Sequence, residues 1–151
     1  MKSLPPETYR RICPEVFNST IGGHIRHNLD HYQALMRGEE KGEVDYDNRE
    51  REARVETDPA LAVAEMEKLR DRLEGLAGAD LDRPLRVRMD DGGGSAWSRT
   101  TLRRELQFLL SHSIHHYALV VSIATRFGIT RFPEGFGVAP STIHYRAQAG
   151  S

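Results

Sequence analysis

The chain has 151 residues, of which 38% are hydrophobic and 28% are charged. This size and composition are typical of one globular domain, and we expect residues 1–151 to form a single domain. The 21 Lys and Arg residues nearly balance the 22 Asp and Glu residues, and the arginines are scattered among acids instead of forming a basic face. We therefore expect no nucleic-acid partner.

The chain also lacks the patterns of exported and membrane-bound proteins. No stretch approaches the roughly 18 consecutive apolar residues of a membrane-spanning helix, and the opening MKSLPPETYRR has no apolar signal core. The single cysteine, Cys13, excludes an intramolecular disulfide and a multi-cysteine metal site. We expect a cytoplasmic protein without a membrane partner, in which Cys13 is a packing residue.

Two helices are predicted in the first half of the chain. Residues 14–37 carry apolar side chains at helical spacing, and Gly38 ends this pattern. Charged residues dominate 39–56, which predicts a solvated connection or a short polar helix. A second amphipathic helix follows, because Asp58 is placed as an N-cap and Pro59 as the first helical residue.

The second half contains one more long helix. Before it, PLRVRM alternates like a strand and DDGGGS is typical of a turn, which predicts a small irregular or hairpin insertion over 80–98. The helix is predicted from 100 to 127, with Gly128 as its stop. Residues 130–151 show no helical rhythm and are predicted to form an irregular tail. Long helices with almost no strand signal favour an all-α bundle.

The last helix raises the main question of the sequence, since LLSHSIHHYALVV places three histidines within an aliphatic run. At about 100° of rotation per residue, His112 and His116 lie in or beside the apolar stripe, whereas His115 lies toward its edge. Two histidines at i and i+4 are one turn apart, which is the spacing of helical zinc sites. His112 and His116 are therefore candidate metal ligands.

The first helix offers a third ligand in GGHIRHNLDHYQAL. Helical rotation places His24 and His31 near the borders of the apolar face and directs His27 outward. Either His24 or His31 could complete a three-histidine site. We prefer His24, because the adjacent Gly22 and Gly23 would permit close helix approach.

Three neutral imidazoles suit Zn²⁺, Ni²⁺, Fe²⁺ or Cu²⁺ and leave a coordination position for water or substrate, which favours catalysis. A bound water could then supply hydroxide, or the ion could activate a substrate thiolate. Glu105 lies on the same stripe but about 10 Å along the axis from His112. It is a weak catalytic candidate, and a buried structural pair is the simpler interpretation. The competing hypothesis is a plain helical bundle with hydrogen-bonded core histidines and no metal.

Four segments together resemble the DinB-like, or YfiT-like, family of metal-dependent helical proteins: STIGGHIRHNLDHYQALMRG, VDYDNRERE, LRRELQFLLSHSIHHYALV and FGVAPSTIHY. The resemblance implies an up-down-down-up four-helix bundle with one histidine ligand from an early helix and two from a later HxxxH pair. HSIHH supplies His112 and His116. HIRH supplies the early ligand, for which His24 is preferred and His27 is the alternative. The family implies zinc or nickel as the metal, and a homodimer.

The resemblance also indicates a class of reaction. Relatives in this family include transferases and isomerases that use low-molecular-weight thiols. We therefore expect a metal-dependent transferase, with a low-molecular-weight thiol among its candidate substrates, or a hydrolase acting on a small molecule. The alternative is a non-enzymatic, metal-stabilised binding or dimerisation module related to the stress response.

Overall fold

The computed structural model describes residues 4–94 and 96–149. The helices in this part of the chain are α1 (Pro6–Arg10), α2 (Ile21–Gly38), α3 (Pro59–Glu74), α4 (Leu102–Arg126) and α5 (Pro140–Ala149), with a 3₁₀ helix at Ala53–Glu56. The strands are β1 (Glu43–Asp45), β2 (Pro84–Arg88) and β3 (Trp97–Thr101). α2 packs against both α3 and α4, so it is the central helix of the fold.

The prediction of an all-α four-helix bundle is wrong, because a three-stranded mixed sheet accompanies the helices. β2 and β3 form an antiparallel hairpin in the place where the insertion before α4 was expected. β1 then adds to β2 in parallel, with Val44 paired to Val87. Val44 is fully buried. One apolar residue among charged neighbours thus supplies the buried contact that fixes a third strand.

The charged segment 39–56 is also more than a solvated connection. Tyr46 and Val55 are 1% and 2% exposed. The hydroxyl of Tyr9 donates a 2.9 Å hydrogen bond to the carbonyl of Val55, which ties the 3₁₀ helix to the N-terminal segment. At the start of the segment, Glu39 forms an ion pair with Arg83. The segment therefore joins the hydrophobic core through the buried side chains of Val44, Tyr46 and Val55.

α2 begins seven residues later than the apolar pattern predicted. The side chain of Thr20 accepts a 2.8 Å hydrogen bond from the backbone N–H of Gly23, which is an N-cap arrangement. Just before it, Phe17 and Asn18 adopt left-handed backbone angles, with φ of 55° and 51°. These angles cannot continue a right-handed helix. The start of α3 is as predicted, since the side chain of Asp58 accepts hydrogen bonds from two backbone N–H groups.

The prediction of an irregular tail is wrong over 140–149, which form α5. The segment before α5 packs on α4: the ring of Phe136 stacks on Tyr117 with centroids 4.8 Å apart. A Cβ on Gly137 would lie 2.9 Å from the backbone nitrogen of Ala118. Glycine is therefore required where this segment crosses α4.

Cys13 is fully buried in the core, as a packing residue would be. It lies in the hydrophobic cluster that joins the N-terminal segment to α2, α3 and α4. A second cluster joins α2 and α4 to the sheet. Within the described residues, no helix has the combination of length and apolar character needed to cross a bilayer.

Candidate metal centre

Histidines from α2 and α4 form one continuous cluster of imidazole rings. His27 lies at its middle, with ring centroids 4.3 Å from His31, 5.0 Å from His112 and 4.6 Å from His116. His24 lies at one end, 5.1 Å from the ring of His116. Because α2 presents histidines at i, i+3 and i+7 and α4 presents them at i and i+4, the packing of these two helices brings five rings together.

Three of these residues form a group that could hold an ion. His27, His112 and His116 each offer a ring nitrogen, and the three nitrogens all lie within 4.8 Å of one another. All three side chains are half-buried. The Nε2 atom of His112 is buried and has no hydrogen-bond partner among the described residues. A buried ring nitrogen without a partner is costly, and a metal ion would satisfy it. This part of the structure therefore fits a divalent metal.

Burial also keeps these imidazoles neutral. Loss of hydration lowers the pKa of His27 to about 3, with the neighbouring histidines adding to the effect. The same cause lowers the pKa of His112 and of His116 to about 4. Neutral imidazole is the form that coordinates a metal. The cluster is thus in its ligating form at neutral pH.

The preferred and the alternative ligand from α2 occupy different positions. The Nδ1 atom of His24 lies 2.8 Å from the Nδ1 atom of His116, and its Nε2 atom lies 3.0 Å from the hydroxyl of Ser19. Both nitrogens of His24 therefore have hydrogen-bond partners, whereas His27 supplies a nitrogen to the three-residue group. His24 as a metal ligand stays a prediction. His31 is also engaged, since its Nδ1 atom lies 2.8 Å from the carbonyl oxygen of His27.

The expectation that His27 points outward is wrong. That expectation assumes that α2 has one buried face, centred on its aliphatic residues. α2 instead packs on α3 with one face and on α4 with another, and His27 lies on the face toward α4. Gly22 is closely packed, but not against α4. A Cβ on Gly22 would lie 2.0 Å from the carbonyl oxygen of Glu56. Gly22 thus admits the 3₁₀ helix rather than α4.

Arg49 is a part of the centre that sequence reasoning missed. Its Nη1 atom donates a 2.6 Å hydrogen bond to the carbonyl of Tyr46, whose ring stacks on His31 with centroids 5.6 Å apart. Its buried Nε atom has no hydrogen-bond partner among the described residues. The positive charge of Arg49 contributes to the low pKa of His27, His31 and His112. The guanidinium therefore lies beside the imidazole cluster. The sequence signal for it is the VDYDNRERE segment, which contains Arg49 and belongs to the family resemblance, but this resemblance assigns no role to the arginine.

A buried ion pair supports α2 next to the cluster. The Nη1 atom of Arg26 donates a 2.7 Å hydrogen bond to the carboxylate of Asp30, and its Nε atom donates a 2.9 Å bond to Glu56. Asp30 is 1% exposed. Burial raises the pKa of Asp30, and the charge of Arg26 opposes that rise. This network connects α2 to the 3₁₀ helix and thereby fixes the segment that carries Arg49.

Glu105 lies outside the three-histidine group. Its carboxylate accepts hydrogen bonds of 2.9 Å from the hydroxyl of Tyr46 and of 2.7 Å from the hydroxyl of Thr100. Glu105 is buried, and both of its oxygens are engaged by these donors. This arrangement favours the structural interpretation of Glu105 over a catalytic one.

Comparison with known proteins gives a family match and one partial relative. The sequence model of the DinB superfamily matches residues 1–120. A protein of Rhizopus delemar named FK506-binding protein 5 is 30% identical over 105 residues, which are 68% of this chain and 27% of that protein. The chain therefore spans about a quarter of the length of this curated relative. No solved structure matches the chain significantly.

Proposed function

This chain belongs to the DinB superfamily, and on that premise we propose that His27, His112 and His116 hold a divalent metal ion, zinc or nickel. We further propose that the protein is a metal-dependent transferase that acts on a small molecule, with a low-molecular-weight thiol as one substrate. The observation that carries the proposal is the convergence of ring nitrogens from three neutral histidines, of which His112 has a buried Nε2 atom without a hydrogen-bond partner among the described residues.

The ligand count supports a reactive rather than a purely structural centre. Structural zinc sites are closed by four protein ligands, whereas three protein ligands leave a position for water or substrate. A bound divalent ion would act there as a Lewis acid that favours the thiolate form of a thiol or the hydroxide form of water.

Surrounding residues provide the environment for an anionic substrate group. The guanidinium of Arg49 adds a positive charge beside the histidines, and its Nε donor has no hydrogen-bond partner among the described residues. A thiolate or carboxylate would therefore be attracted to this side of the cluster. His24, held between Ser19 and His116, orients the His116 ring.

The experiment that tests this proposal uses cobalt-loaded protein and a simple thiol, 2-mercaptoethanol. If the site is open, titration should produce a saturable thiolate-to-cobalt charge-transfer band in the near ultraviolet. Arg49→Gln should weaken the apparent thiol affinity several-fold while the cobalt content stays unchanged. If cobalt binds but the thiol produces no band, the thiol-dependent transferase is excluded and the non-enzymatic, metal-stabilised module is favoured in its place.

A further inference from the structure

An apolar cavity lies between α2, α3, α4, the segment that follows α4 and the N-terminal residues Leu4 and Pro5. Its volume is about 440 Å³. The wall is predominantly aliphatic and aromatic, and includes Ile21, Ile25, Met66, Val120, Phe132 and Phe136. A cleft of this size with a mostly apolar wall is typical of a small-molecule site.

This cavity is separate from the histidine cluster. No histidine is among the residues that line it. At about 100° per residue, the cavity residues Ile21 and Ile25 lie about 60–100° around α2 from His24 and about 120–160° from His27. The cavity and the candidate metal centre therefore use different faces of the same helix, and binding in one can be measured apart from binding in the other.

The lining contains one charged side chain, that of Arg131. Arg131 is exposed, and its guanidinium makes no ion pair or hydrogen bond with the rest of the described chain. A ligand matched to this cavity has an apolar body and one anionic group, because the walls offer apolar contact and the only charge is positive.

The inner end of the cavity limits the length of the ligand. An adjoining pocket of about 40 Å³ shares Ile25, Met66 and Tyr117 with the large cavity. It contains the side-chain amide of Asn28, which is 5% exposed and has no hydrogen-bond partner among the described residues. A space of this size accommodates about one water molecule, which would hydrate the amide. The apolar body of the ligand therefore ends before Asn28.

We propose that this cavity binds a small carboxylic acid with an aliphatic body, of the medium-chain fatty acid class. The aliphatic part of the ligand lies among the apolar residues of α2, α3 and α4. Its carboxylate pairs with the exposed Arg131. Binding in this cavity requires no metal at the histidines.

The test is calorimetric titration of the full chain with octanoate, using 1-octanol as the neutral and octyltrimethylammonium as the cationic probe. We expect saturable binding of octanoate at about one molecule per chain, with weaker binding of the other two probes. Arg131→Gln should weaken octanoate binding about fivefold, the effect of one exposed ion pair, and leave octanol binding unchanged. Arg126→Gln is the matched control, since Arg126 is exposed and does not line the cavity.

A second variant tests the cavity itself. Ala124 is buried in the cavity wall, so Ala124→Leu should reduce the affinity for both octanoate and octanol. Equal affinities for octanoate and octanol, together with no effect of Arg131→Gln, would overturn the carboxylate assignment. Absence of octanoate binding at millimolar concentration would overturn the site. Titrations of metal-free and metal-loaded protein should agree, which keeps this result independent of the proposed metal function.

Discussion

The hydroxyl of Tyr46 donates a 2.9 Å hydrogen bond to the carboxylate of Glu105, joining the segment after β1 to the first turn of α4 in the buried interior. The ring of Tyr46 also stacks on His31. The pair thus holds one wall of the histidine cluster, although its two members are 59 residues apart in the sequence.

Replacing Glu105 tests this structural role. Glu105→Ala leaves the hydroxyls of Tyr46 and Thr100 without their acceptor, and should lower the free energy of unfolding by about 1–3 kcal/mol. Glu105→Gln keeps an acceptor oxygen and should cost less. Urea denaturation measures both effects. If Glu105→Ala is as stable as the native protein but loses its activity or its metal, Glu105 acts directly at the centre.

Gly22 and Gly23 are neighbours in the first turn of α2 and make a matched pair. A Cβ on Gly22 would lie 2.0 Å from the carbonyl oxygen of Glu56, whereas the nearest atom to a Cβ on Gly23 is the Thr20 hydroxyl at 3.1 Å. Gly22→Ala should therefore destabilise the protein by roughly 1–3 kcal/mol through overpacking against backbone. Gly23→Ala should be close to neutral, since alanine favours helix over glycine. Thermal unfolding measures the stability of the two variants. Equal stabilities would contradict the close approach of the 3₁₀ helix to Gly22.

Stability of the metal-free protein should depend on pH. Burial lowers the pKa of His27 to about 3 and of His112 and His116 to about 4, from an ordinary value of 6.5. Between those values the unfolded chain binds more protons than the folded chain, so the free energy of unfolding falls as the pH falls. The free energy of unfolding is highest above about pH 6.5, where these imidazoles are neutral in both the folded and the unfolded chain. It falls progressively toward pH 4.

Urea denaturation at about pH 7.5 and about pH 5 measures this dependence. The double variant His112→Gln, His116→Gln should lose less stability between these two pH values than the native chain. His144→Gln, on exposed α5, serves as the control and should behave like the native chain. An identical pH dependence of the double variant and the native chain would show that the cluster does not contribute.

The two candidate ligands from α2 predict different metal affinities. His27→Ala removes a member of the three-nitrogen group and should weaken zinc binding by roughly 100-fold or more. His24→Ala removes the hydrogen bonds of His24 to His116 and Ser19 but no member of the three-nitrogen group, and should weaken zinc binding by about tenfold. Competition with a chromophoric chelator gives both affinities. The reverse order of the two effects would assign the third ligand to His24.

Local chemistry accounts for the features that the sequence predicted well. Asp58 and Pro59 define the start of α3 through contacts within one turn, and His112 and His116 share a face of α4 because helical geometry alone sets their spacing. The hairpin before α4 followed from its alternating pattern and glycine turn.

The remaining features depend on contacts between distant segments. β1 exists because Val44 pairs with Val87, which no local pattern around Val44 reveals. The position of His27 depends on α2 packing against two helices instead of one. Arg49 is held next to Tyr46 by its hydrogen bond to the Tyr46 carbonyl, in a segment whose charge indicates exposure to solvent.

The most direct test of the metal centre is the metal content of untagged protein after gel filtration, measured by mass spectrometry. We expect about one equivalent of zinc or nickel per chain in the native protein, and less than about 0.1 equivalent in the folded His112→Ala, His116→Ala double variant. The three-histidine site would be contradicted by a native protein that carries no metal and takes up none when zinc and nickel are offered, or by a double variant that retains the native content.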